Sequence, residues 1–166
     1  MDRDIWMGKD IETGEWVRGR RLPGVDGSVY IVCASAIDEY ESEDGKRSWL
    51  DTIEDYHSVD PSTLSQYTGK KDIDQTGAFE NHIIEFTDTM DQTVIGIIKY
   101  GEYSQDGSGG EYGPSKCLGF YIERIKVYPA DWMEDEDVFI PRYDRTRSLL
   151  DINFKILGYI FDDIEY

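Results

Sequence analysis

The sequence is poor in the side chains from which most catalytic centres are assembled. Its 166 residues include two histidines, His57 and His82, and two cysteines, Cys33 and Cys117. Two histidines exclude a multi-histidine metal centre. The phosphate-cradling GxxxxGK[ST] run is absent, as are GxGxxG, HExxH, GxSxG and CxxC. No catalytic residue, cofactor site or metal site is therefore identified, and the chain reads as a non-enzyme. Positive charge is scarce too: 17 Lys and Arg against 35 Asp and Glu leave a net charge of −18. Nucleic-acid binding draws on phosphate neutralisation by Lys and Arg, so this balance argues against direct nucleic-acid binding. It argues equally against anionic membrane surfaces. No window approaches the roughly 20 apolar residues that span a bilayer. The opening Met1-Asp2-Arg3-Asp4-Ile5-Trp6 lacks the basic and apolar regions of a secretory signal, which predicts a cytoplasmic protein. Each cysteine sits in an apolar stretch, so both are expected to be buried, reduced thiols. A reactive thiolate would need an electropositive setting, and Lys116 is the sole adjacent cation.

What is present points to folded β-structure. Aromatic residues make up 13% of the chain, far from the composition of a disordered one. Apolar runs are short and often alternate, which is the period of strands. Strands are predicted near 15–19, 29–34, 83–87, 94–100, 118–127 and 154–161. Ile5-Trp6-Met7 pairs with Glu15 to Arg18 across a Thr13-Gly14 turn. A second hairpin has Thr87 to Gln92 as its turn. Along 118–127, Leu118, Phe120 and Ile122 share one face. Gly158, inside the last strand, suggests a bulge or close backbone approach.

Helix signals are few. Asp60-Pro61-Ser62-Thr63 has a capping acid before a proline, with room for one turn only. Residues 144–152 could form a short helix holding Leu149, Leu150 and Ile152. Loops are expected at 101–114, around the Gly-rich 107–110, and at two acidic stretches, 36–55 and 134–137. Acidic runs usually are solvated surface.

Candidate chemistry is thin. His82 with Glu80 or Glu85 is a conceivable mixed metal site, Glu80 and His82 sharing a face at strand spacing. A histidine beside acids is nearly unavoidable in so acidic a chain. Trp6, Trp16, Trp49, Trp132 and twelve tyrosines could pack or recognise a partner. Two cation groups, Arg18/Arg20/Arg21 and Arg142/Arg145/Arg147, could bridge to acids of the same surface or of a neighbouring subunit.

The most specific segment runs from His57 to Asp72: H-S-V-D-P-S-T-L-S-Q-Y-T-G-K-K-D. It resembles the signature of the YopX family of phage and prophage proteins, approximately V-D-P-x-T-V-x-Q-Y-T-G-L-x-D followed by I-F-E-G-D-I-V. Asp60, Pro61, Thr63, Gln66, Tyr67, Thr68, Gly69 and Asp72 match, and the likeness continues through Phe79 and Glu80. Trp6 to Lys9, Thr13 to Gly19, and Ile156 to Asp162 with Gly158 are similar to the family's ends. The blocks cover under half the chain. Asn81-His82 replaces the family's Gly-Asp, so no role carries over for that aspartate; Asn is the residue that best keeps a positive φ. About 126–149 has no counterpart and reads as an insertion.

The resemblance implies a mainly β fold of small antiparallel sheets or an SH3-like barrel, with long acidic loops and one or two short helices. It implies one YopX-like domain over 1–166, divisible into an N-terminal β part, 1–56, and a C-terminal barrel, 57–166. The family has no established activity, and fold alone does not give one. The signature residues are expected to be structural. The functional expectation is a phage-type accessory protein acting by protein–protein interaction or self-assembly, as a homo-oligomer. The alternative is an acidic mimic of nucleic acid that binds host DNA-binding proteins.

Overall fold

The structure, a computed structural model, describes residues 4–33, 56–88, 91–105, 113, 115–128, 146–149 and 152–162. The protein is mainly β, built of antiparallel sheets. It divides into two compact units, Met1–Gly69 and Lys70–Tyr166.

Strands β1 (Ile5–Lys9), β2 (Trp16–Pro23), β3 (Val29–Cys33), β4 (Tyr56–Val59), β5 (Ser65–Lys71) and β6 (Gly77–Phe79) form one sheet in the order β4-β3-β2-β1-β5-β6. The β1–β2 hairpin turns at Thr13-Gly14, as its sequence predicts, with Gly14 at φ 72°. The sheet curls until its edge strand β4 meets the end of β1. Asp10, just past β1, bridges to Val59 of β4. Ile11 N donates to Ser58 O and Asp60 N to Lys9 O, each at 2.9 Å. Side chains alternate across a strand, so one face points into the curl. That inner face buries Val29, Ile31 and Val59 against Trp6, Val17 and Leu64. Two glycines make the closeness possible. A Cβ on Gly8 would lie 3.1 Å from the Val59 Cβ, and one on Gly19 would fall 1.9 Å from the Val32 carbonyl oxygen.

The second sheet has the order β10-β9-β8-β7-β11, from β7 (His82–Thr87), β8 (Thr93–Gln105), β9 (Ser115–Tyr128), β10 (Thr146–Ser148) and β11 (Phe154–Tyr159). Its core includes Ile84, Phe86, Val94, Ile98, Ile122 and Phe154. The register shifts between Ile156 and Gly158, which is the irregularity Gly158 suggests. A second bulge sits on β9, where Ile95 pairs with Lys126 but Gly96 with Arg124. The extra residue, Ile125, resets the alternation, so Ile122 and Val127 both reach the core.

Three expectations need correcting. The region from Gly101 is not loop at first, because β8 continues to Gln105. The helix considered within 144–152 is replaced at Thr146–Ser148 by β10, paired with β9; Leu149 and Ile152 are core residues nonetheless. Leu118 shares the face of Phe120 and Ile122 as expected, and is 70% exposed because the strand pair has left the sheet at that point. Cys33 and Cys117 are half-buried thiols rather than core residues. Both acidic stretches, 36–55 and 134–137, lie outside the described residues, as do 129–145 of the segment read as an insertion. Trp49 and Trp132 lie outside them as well.

Candidate functional site

The signature residues take up work at corners. Asp60 caps a 3-10 turn over Pro61–Thr63: its Oδ1 accepts from Ser62 N at 2.9 Å and Ser62 Oγ at 2.8 Å. Those two bonds hold its carboxyl below the usual range. Thr63 is buried. Its hydroxyl donates to Asp60 O at 2.8 Å and accepts from Lys9 N at 2.9 Å, tying the turn to the end of β1. Gln66 stands opposite Trp6 on β5, followed by Tyr67 and Thr68. Gly69 is at φ 82°.

Asp72, also buried, closes the next corner. Its Oδ1 accepts from Asp74 N at 3.0 Å and Thr76 N at 2.7 Å, and its Oδ2 from Ile156 N at 3.3 Å. Gln75 in that turn has φ 66°. Phe79 is core, and Glu80 accepts from Tyr100 N at 3.4 Å. Asn81 is at φ 67°, the conformation its substitution for glycine implies. Its N–H donates to Ile98 O at 2.7 Å.

His82 is engaged in packing and a backbone bond rather than paired with Glu80. Glu80 belongs to the turn before β7, so the two do not share a strand face. The imidazole is buried edge-to-face against Tyr159, centroids 4.6 Å apart. Its Nδ1 accepts from Phe79 N at 3.1 Å, which fixes the neutral form with the proton on Nε2. Burial pushes its pKa down to about 4, against the opposing pull of Asp72 and Asp162. Among the described residues no cluster of three His, Cys, Asp or Glu could hold a metal ion.

The other histidine has a partner that linear reading missed. His57 Nδ1 lies 2.7 Å from Asp10 Oδ2. Asp10 Oδ1 accepts from Glu12 N and Thr13 N, both at 2.8 Å. The Thr13 backbone bond first, and His57 second, draw the Asp10 carboxyl down to about 2. The two residues are 47 positions apart, and only the curl of the sheet joins them. The pair pins β4 to the β1–β2 turn; Asp10 spends both oxygens on that fastening.

Two surfaces remain that local bonding does not account for. The first is the far end of the β8–β9 pair. β7 pairs with β8 only over Thr93–Ile97, and β10 with β9 only over Tyr121–Glu123. From Tyr100↔Phe120 to Gln105↔Ser115 six rungs continue as a two-stranded ribbon, with no third strand among the described residues. One ribbon face carries Tyr100 against Phe120, centroids 5.0 Å apart, and then Leu118. Tyr103 stacks on Tyr121 at 5.3 Å on the opposite face. Tyr100 is 49% exposed. The second surface is the outer face of the curled sheet, where Arg18 and Arg20 are exposed.

No family model, curated protein or solved structure matches the chain. No helix among the described residues is long and apolar enough to cross a membrane.

Proposed function

We propose that this chain is a YopX-like accessory protein of phage type, cytoplasmic and non-enzymatic, which acts through self-assembly and contact with other proteins. The D-P-x-T…Q-Y-T-G…D order supports the family reading. Its polar members Asp60, Thr63 and Asp72 are engaged with backbone groups at corners, as a scaffold signature requires. The β8–β9 ribbon carries the self-assembly reading. A two-stranded ribbon is marginal by itself in water, and open strand edges invite pairing. Here the stripe from Ile98 and Ile122 leaves the core and continues over Tyr100, Phe120 and Leu118. A second copy presenting the same stripe would cover both in an isologous contact.

Light scattering tests it. The parent should be a dimer or larger at moderate salt, and Leu118→Glu should be a monomer that keeps the parent's circular dichroism spectrum. A parent that is monomeric at both low and moderate salt overturns the reading.

A further inference from the structure

The 22 residues of β1 to β4 contain Lys9, Arg18, Arg20 and Arg21 but no Asp or Glu. The chain as a whole has twice as many acids as bases, 35 to 17. Strand propensity alone does not explain the gap, because β7, β8 and β9 carry Glu85, Glu102 and Glu123. Acids were available to pair with these cations, and none stands beside them in the sheet.

Register sorts the cations by face. Arg21, though exposed, shares the face of Ile31 and lies over the Trp6 ring at 5.0 Å. Lys9, opposite Trp16, and Met7, opposite Arg18, share the outer face with Arg20; Val32, opposite Arg20, is buried, so the face is open on its β1–β2 side rather than at Val32. Leu22 and Tyr56 belong to this face as well, 36% and 58% exposed. Arg18 and Arg20, two residues apart on one strand face, are roughly 7 Å apart along the strand. Among the described residues neither has an ion-pair partner.

We infer that this outer face is a docking site for an extended acidic polypeptide segment, its carboxylates on Arg18 and Arg20 and its apolar side chains on Leu22 and Tyr56. Charge complementarity selects an anion, since the guanidinium fork matches a carboxylate with two parallel bonds. The strand geometry selects an extended peptide. Carboxylates at every second residue of a strand repeat at the same roughly 7 Å as the two arginines. The rings argue against single-stranded nucleic acid, which needs open aromatic faces for its bases to stack on. Lys9 lies over Trp16 at 5.5 Å, and Tyr30 meets Tyr56 edge-to-face at 5.8 Å. The site is separate from the ribbon, so it stands or falls independently of self-assembly.

The test is fluorescence anisotropy with the full chain and a short labelled peptide of the pattern Glu-Ser-Glu-Ser-Leu, whose alternate positions match Arg18, Arg20 and Leu22. Saturable binding is expected, weakening as salt rises. The double variant Arg18→Glu/Arg20→Glu should bind at least about tenfold more weakly, as lost charge pairs at an interface do. Lys126→Glu, a single charge reversal on β9 with half that change in net charge, should stay within about twofold of the parent. Should the double variant melt early, Arg18→Gln/Arg20→Gln replaces it, removing the charge without reversing it. No saturable binding, equal loss in Lys126→Glu, or oligothymidine of matched charge binding as tightly would each overturn the inference.

Discussion

Gly69 and Gly19 are both glycines inside strands of the first unit, yet substitution should harm them by different routes. Gly69 has φ 82° with nothing within 4 Å of where a Cβ would stand, so its cost is backbone strain alone. Gly69→Val should lose about 1–2 kcal/mol, and Gly69→Asn clearly less, because asparagine tolerates the left-handed region. At Gly19 the obstacle is the Val32 carbonyl, which cannot move without opening the β2–β3 ladder. Gly19→Ala should therefore destabilise more than Gly69→Ala, read from urea unfolding midpoints. His82 gives a pH-dependent case. Its folded pKa of about 4 lies below the ordinary 6.5, so between those values the unfolded chain takes up a proton that the native chain refuses. The stability it contributes is complete above pH 6.5 and is lost as pH falls toward 4, about 3 kcal/mol across the window. His82→Asn keeps an acceptor for Phe79 N but does not titrate. The parent-minus-variant difference in unfolding free energy should shrink steadily from pH 7 to pH 4; a flat difference would show that His82 does not set it.

A nearly buried ion pair braces the β7–β8 hairpin. Asp88 starts its turn, accepting from Gln92 N at 3.1 Å, and faces Arg124 of β9 at 3.7 Å, both side chains nearly buried. Arg124 also lies over Phe86, at 6.0 Å. Arg124→Ala should remove a buried countercharge of the Asp88 carboxylate, costing up to about 3–5 kcal/mol in urea unfolding. Arg124→Ala/Asp88→Asn should recover part of that loss. The hairpin itself was legible in the sequence, as were β2, β3, β7, β9 and β11, because a buried face leaves an alternating apolar trace. The outer reach of β8 was not. Gly101 to Ser104 include no buried side chain, so they write no period into the sequence. β10 was hidden for the opposite reason: Leu149 and Ile152 supply apolar residues at helix-like spacing beside a strand only three residues long. Turn chemistry was readable where it is local, as at Asp60 capping Ser62 or Asn81 at positive φ. The Asp10–His57 pair needed the curl of the sheet. The arginines of β2 were visible as a cluster, but only strand register separates Arg21, over Trp6, from Arg18 and Arg20 outside.

Over the whole molecule, a net charge of −18 sets how salt acts, and it acts with opposite signs on the processes proposed. Like charges repel within the folded chain and between copies, and salt screens them with a Debye length of about 10 Å at 0.1 M. Thermal stability should therefore rise between low salt and about 0.5 M sodium chloride, where that length is well under 10 Å. Ribbon-mediated assembly should strengthen over the same range. Its apolar contact of Tyr100, Phe120 and Leu118 is not weakened by screening, while the repulsion opposing it is. Acidic-peptide binding at Arg18 and Arg20 should weaken over that range, being an attraction between unlike charges. One salt series, read by melting temperature, light scattering and anisotropy, thus separates the three. Rising stability and assembly with falling peptide affinity is the expected pattern. Assembly that dissolves as salt rises would instead place acid–base pairing, for example one copy's carboxylates on its neighbour's Arg18 and Arg20, at the contact between copies, and would remove the ribbon from that role.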